Sequence, residues 1–156
     1  MQVHRVGGCA AATLVVLLLT GCSENGRLSK AEYEQKVRAE YADIQKAFRA
    51  TGASFNQPDL AQKIERAQAE LRGAAAALED KEPPKEVEKQ NEELVEGMRE
   101  YAESLDRLRD AAERGELKVI EDATARIADN KAVQQMAEAA EEMKFKGYDL
   151  GPIAEE

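Results

Sequence analysis

Few side chains in this sequence could do chemistry, and their types narrow it quickly. The chain of 156 residues has one imidazole, His4, and two thiols, Cys9 and Cys22. Six carboxylates crowd one stretch: Glu88, Glu92, Glu93, Glu96, Glu100 and Glu103. Carboxylate oxygens are the ligands that Ca²⁺ and Mg²⁺ take, but no D-x-D-x-D-G loop sharpens that idea. Glu92, Glu96 and Glu100 repel one another weakly at a spacing of four. Lys85, Lys89, Arg99 and Arg107 relieve the run, so it also reads as a plain solvated helix face. Hydrolysis by acids alone needs two carboxyls about 5–10 Å apart in a cleft, which an open convex face does not provide.

Asn91, Met98 and Tyr101 stand among these acids. Asn91 could ligate something buried, although a polar residue in a helix seam more often sets register. Met98, with Met136 and Met143, could line an apolar pocket, although thioethers more often fill gaps in a core. The hydroxyls of Tyr33, Tyr41 and Tyr101 need partners if buried, and otherwise reach water at a rim. A small-ligand receptor would require a cavity among Tyr41, Asn91, Met98, Tyr101 and Met136.

Cys22 is set apart by what precedes it. Residues 1–5 carry one fixed positive charge, Arg5, and residues 6–19 are 14 uncharged residues. As a helix that stretch spans about 21 Å, short of the ~30 Å hydrocarbon core, and fits a secretory leader. The residues that follow, Leu19-Thr20-Gly21-Cys22, resemble the lipobox of bacterial lipoproteins: a Leu, two small residues and an invariant Cys. The resemblance implies a diacylglyceryl group on the Cys22 thiol, cleavage between Gly21 and Cys22, a fatty acyl group on the new N-terminus, and no other cofactor. It also implies residence on the extracytoplasmic face of a cell membrane. The stretches 28–48, 83–108 and 147–153 are similar in Ala, Glu and Arg bias to small actinobacterial lipoproteins, a likeness that brings no activity.

Removing residues 1–21 would leave 135 residues. His4, Cys9 and Arg5 would go with them, so the net charge would fall from −9 to −10. A His-dependent triad, a Cys/His zinc site, an intrachain disulfide and a carboxylate–His di-iron site are then excluded. The acidic balance argues against nucleic acid, whose phosphates call for clustered Lys and Arg, and against adsorption to anionic headgroups. Two or three acyl chains hold a protein far more firmly than one. An acidic body could therefore stay on the bilayer through Cys22, on a short tether over 22–28.

Behind the tether the pattern is helical throughout, with nothing alternating like a strand. Ser29 and Glu32 form a capping box, flanked by a Leu28–Tyr33 staple. An apolar stripe follows at Tyr33, Val37, Tyr41, Ile44 and Phe48 until Thr51-Gly52. A second helix has Asn56 and Pro58 as start signals, a Phe55–Leu60 staple, and a stripe from Leu60 through Ile64, Ala67, Leu71 and Ala74 to Leu78. Pro83 and Pro84 separate it from a heptad seam at Val87, Asn91, Leu94, Met98, Tyr101, Leu105, Leu108 and Ala112, closed by Gly115. The fourth stripe is Leu117, Ile120, Thr124 and Ile127, then Val133, Met136, Ala140 and Met143, with a slip between 127 and 133.

These spacings predict an all-α, antiparallel up-down four-helix bundle over 29–146, with helices at about 29–51, 57–80, 84–114 and 116–146. The second hairpin is longer by roughly 10–14 Å, so it either protrudes or breaks, with Gly97 and Asn130 as candidate weak points. The 79–84 loop and the tail over 147–156 should share one end with the tether. Phe145, Tyr148, Leu150 and Ile153 are apolar enough to fold the tail back over that end. The functional expectation is a non-enzymatic, membrane-tethered binding or scaffolding module for a protein partner in the cell envelope. The alternative is a receptor for a small ligand or cation, inside the bundle or on the acidic face.

Overall fold

The structure, a computed structural model, describes residues 26–52 and 59–151. The leader, Cys22, the Phe55–Leu60 staple with Asn56 and Pro58, and Ile153 lie wholly or partly outside them. Among the described residues every regular element is a helix: α1 Lys30–Gly52, α2 Leu60–Glu79, α3 Glu88–Ser104, α4 Asp106–Arg114, α5 Leu117–Ala125 and α6 Lys131–Phe145. A 3-10 turn, Lys85–Val87, leads into α3. No helix among the described residues is long and apolar enough to cross a membrane.

Local signals account for where the helices start and stop. The Ser29 backbone N–H donates to Glu32 Oε2 at 2.8 Å and the Glu32 N–H donates to Ser29 Oγ at 3.4 Å, the reciprocal bonds of a capping box. Gly115 closes α4 in the left-handed region at φ +68°, which a side chain would resist. Its N–H reaches Ala112 O, and the Glu116 N–H reaches Ala111 O.

Helix α1 packs on α2, α2 on α3 and α4, α3 on α6, and α4 on α5. The α2 stripe is buried in full, and the α3 seam is buried from Val87 to Leu108. The third and fourth helices are not continuous, however. The third is interrupted at Leu105 and the fourth over 126–130. Hydrogen bonds link the two breaks. Asn130 Oδ1 accepts from the Ala132 N–H at 2.9 Å, capping α6, while Asn130 Nδ2 donates to Ser104 Oγ at 3.0 Å. One amide thus ties both interruptions at the same level.

Gly97 is no weak point: α3 runs straight through it. A Cβ there would lie 2.6 Å from Met136 Cγ and 3.1 Å from the Ala132 carbonyl oxygen, so Gly97 lets α6 approach.

The tail folds back, burying Tyr148 and Leu150. Phe145 does not follow. It is 91% exposed, because it sits two residues, about 200° around the helix, from buried Met143. Leu117, expected in the fourth seam, is also exposed, at the start of α5 beside the Gly115 reversal.

Candidate functional site

Two ends of the molecule emerge from this packing. At the first, the beginning of the described chain, the turn after α2 and the tail converge. The Leu28 N–H donates to Glu82 O at 2.9 Å, and Arg27 pairs with Glu82 at 3.2 Å and Glu88 at 3.3 Å. Lys30 Nζ donates to Gly147 O and lies 5.0 Å from the centre of the Tyr148 ring. The Asp149 N–H donates to Glu34 Oε1 at 3.0 Å, and Arg38 pairs with Asp149 at 2.8 Å.

The core beneath these contacts holds two of the phenols. Tyr148 meets Tyr33 edge-on, with ring centres 6.0 Å apart and planes at 88°, the arrangement that aromatic quadrupoles favour. The Tyr33 hydroxyl does not reach water. It donates to Asn91 Oδ1 at 2.9 Å, with Met143 Sδ at 3.6 Å. Burial raises the Tyr33 and Tyr148 ionisations above the ordinary phenol value, since a charged oxygen there would lose its water.

The residues singled out from the sequence divide between two faces of α3. Asn91, Met98 and Tyr101 are buried, whereas Glu92, Glu96 and Glu100 are exposed. They form no common site. Asn91 is engaged by Tyr33, and Met136 is packed over Gly97. Tyr101 stacks on Phe48, ring centres 5.6 Å apart and planes at 12°, and burial pushes its hydroxyl up to about 12. On the acidic face Lys89 pairs with Glu93 at 2.7 Å, and Glu96 accepts from Gln135 Nε2 at 3.3 Å. Glu92 and Glu100 have no ion-pair partner among the described residues. No group of three or more His, Cys, Asp or Glu there is placed to hold a metal ion.

Sequence reasoning missed a polar node. Gln68 is wholly buried, and its Nε2 donates to Ala102 O at 2.7 Å and to Asp106 Oδ1 at 2.9 Å. Arg109 completes it, donating to Asp106 at 2.9 Å. These bonds hold Asp106 below the usual carboxylate range, the Gln68 bond first. The signal was available: position 68 lies four after Ile64 and three before Leu71, on the buried side of α2.

The second end lies where α1 finishes, α2 begins and α4 turns into α5. A cavity of about 150 Å³ opens there, with Phe48, Ile64, Leu105, Leu108 and Ile127 among its walls. It is not where the receptor reading required one. Comparison with known proteins finds no matching family, no similar curated protein and no matching solved structure.

Proposed function

We propose that the chain is a lipid-anchored, extracytoplasmic helical binding module with no catalytic activity of its own. The observation that carries this reading is Leu19-Thr20-Gly21-Cys22 directly behind an uncharged stretch of 14 residues. Acyl chains on Cys22 hold the acidic body at the bilayer without help from surface charge. The helices form an up-down four-helix bundle whose second hairpin is broken, with α4 and α5 completing the end that α3 and α6 do not reach.

The tether sets the orientation. Four backbone steps join Cys22 to Gly26, a reach of at most about 14 Å. The end with Arg27, the 80–87 turn and the tail therefore stands beside the membrane. Phe145, exposed between Lys144 and Lys146 at this end, faces the lipid headgroups. The opposite end and the acidic face of α3 are left for a protein partner in the cell envelope. Catalysis finds no support, since cleavage removes the one His and leaves Cys22 acylated.

Two variants test the reading. Cys22→Ala should leave an uncleaved precursor of higher mass that carries no acyl group. Processing to the wild-type size with unchanged membrane association would overturn the anchor. Charge reversal of Glu92, Glu96 and Glu100 should release partners that crosslink to the wild-type chain in intact cells. Retention of every partner would remove the acidic face from the proposal.

A further inference from the structure

We infer that the cavity at the end away from the tether is a binding site for a small hydrocarbon group with no hydrogen-bonding atoms. It goes beyond the anchored-module reading and does not depend on Cys22. Four helical segments meet around it, with Leu105, at the junction of α3 and α4, and Leu108 facing Phe48 and Ile64 across the space. Its volume, about 150 Å³, is that of apolar cavities which take up benzene or xenon.

The chemistry of the walls decides the ligand. Two hydroxyls, Thr51 and Thr124, line the space, and neither has a proton left to offer a polar guest. Thr51 Oγ1 donates to Ala47 O at 3.1 Å, and Thr124 Oγ1 donates to Ile120 O at 2.8 Å. Thr51 Oγ1 also lies 3.4 Å from Lys63 O on α2, so both hydroxyl protons are spent on backbone, and the surface that the walls present is almost wholly apolar. No lining residue is charged. Water would find few partners there, and a ligand hydroxyl would give up its hydration for at best one bond to a threonine oxygen. A hydrocarbon loses nothing on entry.

The natural source of such a group is either a free small molecule or the end of an acyl chain, and the test separates them. The whole protein, processed as cells process it and held in lipid nanodiscs, is labelled at its methyl groups. Benzene is titrated by NMR. The methyls of Ile64, Leu105, Leu108 and Ile127 should shift and saturate, while Val87 and Leu94 stay put. Phenol, of nearly the same shape, should bind at least tenfold more weakly. A short-chain phosphatidylcholine below its micelle concentration should shift the same methyls if the source is an acyl end, and leave them unmoved if it is a free molecule. Ala67→Leu fills the space and should abolish the benzene shifts. Should that variant not fold, Thr124→Leu fills it from the opposite wall. No saturable shift with benzene, equal binding of phenol, or shifts that survive the filling substitution would overturn the site.

Discussion

The two ends of the molecule hold themselves together in opposite ways. Around Arg27, four separate stretches of chain are tied by Lys30, Arg27 and Arg38 to backbone and carboxylates, over a core that buries Tyr33, Tyr148 and Met143. At the far end, two nine-residue helices, α4 and α5, cover an apolar cavity, and Leu117 stays in solvent. Helices that short hold their shape by packing rather than by their own propensity. The contrast assigns stability to the end around Arg27 and the tail and adaptability to the opposite end, and low local stability is where binding regions are usually drawn from.

The largest expected effect comes from breaking the tight end. Tyr33→Ala removes a buried aromatic and orphans Asn91, and should cost about 3–5 kcal/mol by denaturant unfolding. Phe48→Ala, half-buried beside an existing void, should cost about 2 kcal/mol. Equal losses would erase the difference between the two ends. Ending the chain at Lys146 exposes the sites of Tyr148 and Leu150 and should cost about 2–4 kcal/mol, with amide exchange rising first in α1 and α6. An unchanged unfolding curve would mean the tail does not clasp the bundle. Smaller again, Asn130→Ala removes the α6 cap and the link to Ser104, for about 1 kcal/mol. Exchange in the first turn of α6 should quicken while α2 is unaffected.

A pH effect sharpens the same contrast. The folded state keeps the buried phenols of Tyr33, Tyr101 and Tyr148 protonated, whereas the unfolded chain releases those protons near pH 10. Protons bound more tightly by the folded form mean that stability is full below about pH 10 and falls as pH rises beyond it. Tyrosinate absorbance should therefore grow together with loss of helical circular dichroism, and Tyr33→Phe should move the alkaline transition upward. Ionisation of these phenols near pH 10 with helices intact would contradict their burial.

Much of the fold was legible because helices announce themselves locally. Stripes with spacings of three and four named the apolar core of α1, most of that of α2 and half of the buried residues of α3, missing Gln90, Val95, Gly97 and Ala102, and Ser29 with Glu32 named the first cap. The breaks were harder to see. The slip after Ile127 and the capping habit of Asn130 marked one of them. Leu105, in an unbroken heptad seam, marked nothing, because the side chains that bond the backbone and Ser104 around it, Gln68 and Asn130, come from other segments. Gly97 misled for a related reason: its missing side chain serves Met136 on α6, a contact that spacing within α3 cannot express. Phe145 looked like core by type, and only its angle from Met143 puts it outside. The candidate site residues were legible as two faces of one helix, whereas the cavity, a product of four segments and two breaks, was not.

The anchor is tested most directly by mass. The N-terminal peptide of the protein isolated from the membranes of its own cells should begin at Cys22 and carry a diacylglyceryl group on the thiol, with or without an amide-linked acyl chain. A peptide that still spans Gly21 and Cys22 with a free thiol would contradict the account.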